Sequence, residues 1–175
     1  MSIYYGIPLE YVSIRPDLAS GYGGSVKVAV DPPTTGRSDL QNWMRASAAG
    51  EVATNRKVGR RELTAQQLTA KFHLAIQSLI EDPASPIHND MRNFALLGLC
   101  RDGATGPERG SPEGWIPVWH ESEQLIRNKL WPSVEAVASK LWAMAVANVG
   151  QDISMIPDLT GEESASLVRA AIRQD

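Results

Sequence analysis

The spacing of the apolar residues changes once along this chain, and that change constrains the fold more than any other feature. Residues 9–30 alternate loosely with a period of two, most clearly over 25–30, where valines fall on one face. From residue 63 onward the apolar positions recur at helical spacing. We therefore predict a mainly α fold (α+β), a helical bundle with one short N-terminal β-hairpin.

The length of 175 residues is typical of one domain. Apolar residues are sparse between Thr34 and Arg61, where Leu40, Trp43 and Met44 indicate at most a short helix. We predict a single domain over 1–175, with a hairpin region over 1–33, a long loop over 34–62 and a helical bundle over 63–175.

Two helix starts in the bundle carry strong local signals. Thr64 is a plausible N-cap for a helix that Pro83 ends. Thr160 is followed three residues later by Glu163, which is the spacing of a capping box. Both positions therefore predict a helix N-terminus.

The composition disfavours some classes of binding partner and indicates the cellular compartment. Seventeen basic and twenty acidic residues give a net charge of −3, which disfavours nucleic acid and anionic membranes as partners. Cys100 is the single cysteine, so an internal disulfide is excluded and a reducing compartment is favoured. The longest apolar run, 141–147, is far shorter than the roughly 20 residues of a membrane span. The N-terminus lacks the features of a signal peptide. We predict a cytoplasmic chain whose partner is an unknown protein or peptide.

A small basic cluster stands within the predicted loop. It consists of Arg56, Lys57, Arg60 and Arg61. The simplest interpretation is a solvated loop, and the alternative is a site for phosphate or for an acidic partner.

Histidines and carboxylates offer two candidate metal ligands. His88 and Asp90 are two residues apart near a predicted helix start, and we treat both as candidate ligands. His73 follows Phe72 inside an amphipathic pattern, so we predict a partly buried helical side chain there. No residue is assigned a catalytic role.

The segment 120–124 begins like the zinc-binding motif His-Glu-x-x-His. Its fifth residue is Gln124, and a neutral amide is a poor zinc ligand. We therefore predict a solvated acidic turn over His120, Glu121 and Glu123. The glycines over 21–24 precede a strand, so they lack the geometry of a phosphate-binding loop.

Four segments follow one another along the chain: GIPLEYVSI at 6–14, a glycine-rich stretch at 21–30, 125–138 with Trp131-Pro132, and LTGEE at 159–163. In this order they resemble parts of the FtsH-type zinc metallopeptidases, and especially their smaller bacterial and phage relatives. Residues 6–14 (GIPLEYVSI) resemble the stretch that follows the zinc helix, and 21–30 resemble the glycine-rich hairpin after it. Residues 125–138, with Trp131-Pro132, are similar to the late helices, and 159–163 (LTGEE) to the closing motif. The resemblance implies a metallopeptidase-like fold.

The same resemblance implies a zinc helix immediately before Gly6, yet residues 1–5 contain neither histidine nor glutamate. It also implies an acidic third ligand, for which Asp90 is the best counterpart. A lone carboxylate does not hold catalytic zinc. We therefore expect no cofactor for this chain as it stands, and zinc only if the missing helix is supplied. Whether the start at Met1 is genuine stays open.

Two functional hypotheses follow. The first is a hydrolase-like zinc-peptidase domain, truncated or degenerate and inactive as written, so that its status as an enzyme stays open. The second is a small non-enzymatic helical interaction or adaptor protein. A nucleic-acid binder that uses Arg56 to Arg61 is a third possibility, which the net charge of −3 disfavours.

Overall fold

The computed structural model describes residues 1–15, 25–32, 36–83, 90–103, 111–148, 150, 152 and 155–173. These residues form α-helices and a small antiparallel sheet, so the predicted mainly α class with an N-terminal hairpin is confirmed. The chain divides into two compact units. The first comprises Met1 and Pro32–Asn128, and the second comprises Ser2–Asp31 and Lys129–Asp175.

The first unit is helical. Its elements are α1 (Arg37–Lys57), α2 (Ala65–Glu81), α3 (Asp90–Asp102), a 3-10 turn (Pro112–Trp115), α4 (Ile116–Leu125) and most of a π-helical turn (Ile126–Leu130). The predicted N-cap of α2 is confirmed, because the Thr64 hydroxyl accepts from the Gln67 backbone N–H at 3.2 Å and the Gln67 side chain returns a hydrogen bond at 2.9 Å. The helix ends at Glu81, just before Pro83, as predicted.

Four aromatic rings form the centre of this unit. Phe72 and Phe94 stack with ring centroids 5.2 Å apart, and Trp119 meets Phe94 edge-on at 5.3 Å. Trp115 lies edge-on to Phe72 at 5.7 Å. All four side chains are fully buried. Gly98 allows this packing, since a Cβ at that position would lie 2.5 Å from Trp115 Cε2.

The predicted long loop over 34–62 is wrong, because Arg37–Lys57 is a helix of 21 residues. Its buried stripe recurs every fourth residue, at Leu40, Met44, Ala48 and Val52. This stripe packs against α3 and α4. Because Ala48 contributes only a methyl group to the stripe, the pattern looks sparse in sequence although it is complete in structure.

The second unit combines a sheet with two helices. Its elements are a 3-10 turn (Ile3–Tyr5), β1 (Leu9–Ser13), β2 (Ser25–Val28), α5 (Trp131–Ala147), β3 (Leu159–Thr160) and α6 (Gly161–Ile172). The strand order is β2-β1-β3, and both pairings are antiparallel. The hairpin of β1 and β2 was predicted, whereas β3 was not. The glycines over 21–24, between the two strands in sequence, lie outside the described residues.

Helix α6 packs on both α5 and β1. Its predicted capping box is confirmed: Thr160 Oγ1 accepts from the Glu163 backbone N–H at 3.2 Å, and Glu163 Oε2 accepts from the Thr160 N–H at 3.0 Å. Gly161 opens the helix directly against β1, and a Cβ there would overlap the carbonyl oxygen of Leu9. The absence of a side chain at Gly161 is therefore what brings helix and strand together.

Candidate functional site

Asp90, the candidate metal ligand, lies in the first turn of α3 and faces α1. Its carboxylate approaches Gly50 so closely that a Cβ on Gly50 would overlap it. The next residue of α1, Glu51, forms an ion pair with Lys71 of α2 at 2.6 Å. Asp90 thus lies against the backbone of α1, close to the charge of Glu51.

This environment changes the acidity of Asp90. Burial raises the pKa of the Asp90 carboxyl to about 6, a hydrogen bond with the Glu51 backbone lowers it, and the Glu51 charge raises it. The group therefore takes up a proton near pH 6, whereas an exposed aspartate does so near pH 4. Because Lys71 already pairs with Glu51, the second carboxylate is engaged as well.

His88, the other candidate ligand, lies outside the described residues. Among the residues that the structure describes, no group of three or more His, Cys, Asp or Glu side chains is arranged to hold a metal ion. The pairing of His88 with Asp90 as metal ligands stays a prediction.

The predicted solvated acidic turn over 120–123 is wrong for one of its two acids. Glu121 is exposed and bonds to Arg45, with Glu121 Oε2 3.0 Å from Arg45 Nε. Glu123 is only 3% exposed, and its Oε2 lies 2.9 Å from His120 Nδ1. The buried carboxylate holds the half-buried imidazole in one orientation.

The spacing of apolar residues around Glu123 indicates that it is buried, although a charged side chain is ordinarily exposed. Glu123 lies four residues after Trp119 and three before Ile126, and both of these side chains are buried. It therefore occupies the apolar stripe of its helix, which packs against α1. His73 departs from its prediction in the opposite direction, since it is exposed although it follows the buried Phe72.

An exposed apolar strip on α5 is the largest departure from the expected burial. Only Ser133 and Leu141 of the 17 residues of α5 are buried. The side chains of Glu135, Ala138, Trp142 and Val146 share one exposed side of the helix, which we call the α5 face. Trp142 is 71% exposed and Val146 is 52% exposed.

The α5 face carries a single charge. Glu135 Oε1 accepts a hydrogen bond at 2.8 Å from Nε1 of Trp131, one turn before it. Lys140 is the only cation of α5, and it projects from the opposite side of the helix. Sequence periodicity places Ala138 and Val146 with Leu141 on one apolar face, but only Leu141 of these is buried.

Comparison with known proteins finds no similar protein. No protein-family model matches the chain, and no curated protein or solved structure matches it. Among the described residues, none of the helices is both long enough and apolar enough to cross a membrane.

Proposed function

We propose that this chain is a non-enzymatic interaction domain that binds an amphipathic helix of another protein on the α5 face. The observation that carries the proposal is the exposure of Trp142, at 71%, in the middle of an apolar helix face. Tryptophan is the side chain most enriched among residues that dominate binding energy. Left in solvent, its large apolar surface contributes little to folding.

The spacing of the α5 face fits a helical partner. Ala138, Trp142 and Val146 follow one another at intervals of four residues, so they form a ridge along one side of the helix. Such a ridge packs into the groove between the side-chain rows of a second helix. The small Ala138 beside the large Trp142 lets that helix approach closely.

The charge of the face indicates what the partner carries. Glu135 is exposed at the N-terminal end of the ridge, so a partner helix with a lysine or arginine at that end gains an ion pair. A second copy of this chain fits less well. In a parallel pair Glu135 meets Glu135, and in an antiparallel pair it meets the apolar end near Val146, which leaves a charge unpaired in the interface.

The same charges disfavour a membrane surface. Helices that lie on anionic membranes carry many lysines and arginines around their apolar face. Helix α5 has one cation, Lys140, and one anion, Glu135. A protein partner therefore fits the helix better than a lipid headgroup layer does.

The resemblance to FtsH-type metallopeptidases is compatible with this proposal. The resemblance implies a domain that binds peptides, and peptide binding is also the activity of an adaptor. Both functional hypotheses from the sequence therefore lead to the same experiment.

The test uses a synthetic helical peptide with a fluorescent label. The peptide has about 20 residues, a length at which an isolated helix can form. It carries leucines at i, i+3, i+4 and i+7 and one lysine near one end of the stripe. Fluorescence anisotropy then gives its Kd for the wild-type chain, for Trp142→Ala and for Leu74→Ala. Leu74 is a matched control, because it is 66% exposed on a helix of the other unit.

We expect Trp142→Ala to weaken binding at least tenfold and Leu74→Ala to leave it unchanged. A peptide of the same composition in scrambled order, which lacks the apolar stripe, should not bind. Equal affinities for the wild type and Trp142→Ala would overturn the proposal. A dimer of the free chain that Trp142→Ala dissociates, seen by analytical ultracentrifugation, would overturn the choice of a different protein as the partner.

A further inference from the structure

The basic cluster lies at an ordered helix end, not in a loop. Lys57 is the last residue of α1, and Gly59 follows the helix with φ +68°. The Gly59 N–H donates to the Arg56 carbonyl at 3.1 Å, and the Arg60 N–H donates to the Asn55 carbonyl at 2.9 Å. This hydrogen-bond pair is a Schellman motif, which fixes the direction of the chain as it leaves the helix.

The structure divides the cluster into engaged and available cations. Arg56 donates from Nη1 to the carbonyl oxygen of Arg127 at 2.5 Å. The nearest acid in sequence, Glu62, forms an ion pair with Arg127, with Glu62 Oε1 3.1 Å from Arg127 Nε. Lys57, Arg60 and Arg61 are exposed, and none of them forms an ion pair with a described residue.

We infer that Lys57, Arg60 and Arg61 form a second binding surface, which takes a short acidic segment of a partner protein. Guanidinium groups bind carboxylates in a two-pronged geometry, and two of the three cations are arginines. Val58, which is 59% exposed between them, offers an apolar contact beside the charges. The surface is distinct from the α5 face and does not depend on the function proposed for that face.

The ordered backbone of this surface reduces the conformational entropy that is lost when a ligand binds. A flexible basic loop loses conformational entropy when it binds, and that loss reduces affinity. The Schellman motif around Gly59 has already fixed the backbone between Lys57 and Arg60. At Lys57 and Arg60, a ligand therefore has to order only the side chains.

The net charge of the whole chain favours a short acidic peptide over a long polyanion as the ligand of this surface. Screening limits the attraction of the three cations to about 10 Å at moderate salt. A long nucleic acid extends beyond that range and meets a protein whose net charge is −3. A short acidic peptide contacts the surface alone, so it gains the attraction without that repulsion.

The experiment measures binding of a fluorescein-labelled peptide that has glutamates on both sides of a central leucine. The test variant is Arg60→Glu with Arg61→Glu. The matched control is Lys140→Glu with Arg169→Glu, which reverses two exposed cations of the other unit and changes the net charge equally. Arg60→Gln with Arg61→Gln serves as a milder second variant, and circular dichroism checks that each chain is folded.

We expect the Arg60 and Arg61 reversal to weaken peptide binding about tenfold or more, and the control to change it less than about threefold. Raising salt from about 50 to about 300 mM should weaken binding to the wild type several-fold. Three results would each overturn the inference: no binding to the wild type, equal losses in both reversals, or tighter binding of a single-stranded oligonucleotide of equal charge.

Discussion

The two units of this chain differ in the burial of their tryptophan side chains. In the first unit, Trp115 and Trp119 are fully buried and contact the stacked Phe72 and Phe94. In the second unit, Trp142 is 71% exposed on the most apolar of the helices. The demands of folding account for the first arrangement. We propose that a partner helix covers the exposed Trp142, and the following substitutions test that difference.

Phe94→Ala should cause the largest loss of stability. The ring is fully buried and stacked on Phe72, so its removal leaves a cavity and should reduce the free energy of unfolding by about 3–5 kcal/mol. Urea denaturation measures the change. Leu96→Ala on the same helix is the control, because Leu96 is 47% exposed and should cost less than about 1 kcal/mol. Similar losses for both variants would mean that the aromatic cluster is not the core of this unit.

Gly161→Ala tests the corresponding contact of the second unit. The added methyl group would overlap the Leu9 carbonyl oxygen, so α6 and β1 must move apart at a cost of about 3 kcal/mol. Gly6→Ala is the control in the same unit. Gly6 has φ +72° but no atom within 4 Å of an added Cβ, so only backbone strain of about 1 kcal/mol is expected. A smaller loss of stability for Gly161→Ala than for Gly6→Ala would contradict this expectation.

Asp90→Asn should stabilise the chain at pH 7. The pKa of Asp90 is raised from its ordinary 3.8 to about 6, so the folded state favours the protonated form. The contribution of Asp90 to stability is therefore greatest below pH 4, falls as the pH rises from about 4 to about 6, and stays at the lower value above that. The substituted amide carries no charge to desolvate, so we expect a gain of about 2–3 kcal/mol at pH 7.

The control for this change is Asp39→Asn, at an exposed position in the first turn of α1. It should retain the pH dependence of the wild type. Denaturation curves at pH 4, 5, 6 and 7 compare the three chains. A stability advantage of Asp90→Asn over the wild type that does not grow between pH 4 and pH 6, or an Asp90→Asn chain that is less stable than the wild type at pH 7, would contradict the account.

Trp142→Ala should have the smallest effect on stability, less than about 0.5 kcal/mol, because the side chain already lies mostly in solvent. Its neighbour Leu141 is 7% exposed, and Leu141→Ala should cost about 2–5 kcal/mol. Thermal unfolding of the two variants gives a direct contrast between the two sides of α5. A large loss for Trp142→Ala would assign the side chain to folding, not to binding.

The fold was predictable from sequence where the signal is local. The predicted N-cap at Thr64 and the predicted capping box at Thr160 depend on residues within three positions, and both are present in the structure. Helix α1 was missed because its stripe includes Ala48 and its interior includes Gly50, which weaken a pattern that depends on large apolar side chains. Strand β3 was missed because two residues are too few to show a period.

The candidate surfaces were harder to predict for a physical reason. Helix α5 is apolar on most sides, so its periodicity does not reveal that Leu141 faces the protein and Trp142 faces solvent. The cations of the basic cluster were visible in sequence, but their ordered backbone depends on the hydrogen bonds around Gly59. Burial of Glu123 similarly depends on packing between helices, which overrides the ordinary preference of a carboxylate for water.

The central claim is that the α5 face is where a partner helix binds, and photo-crosslinking tests its location most directly. The amphipathic peptide described above is made with benzophenone in place of its central leucine, irradiated with the wild-type chain, digested and mapped by mass spectrometry. We predict crosslinks within 135–146 that disappear in Trp142→Ala. Crosslinks concentrated around Leu74 or Ile80, which are equally exposed apolar residues of α2, would contradict the claim.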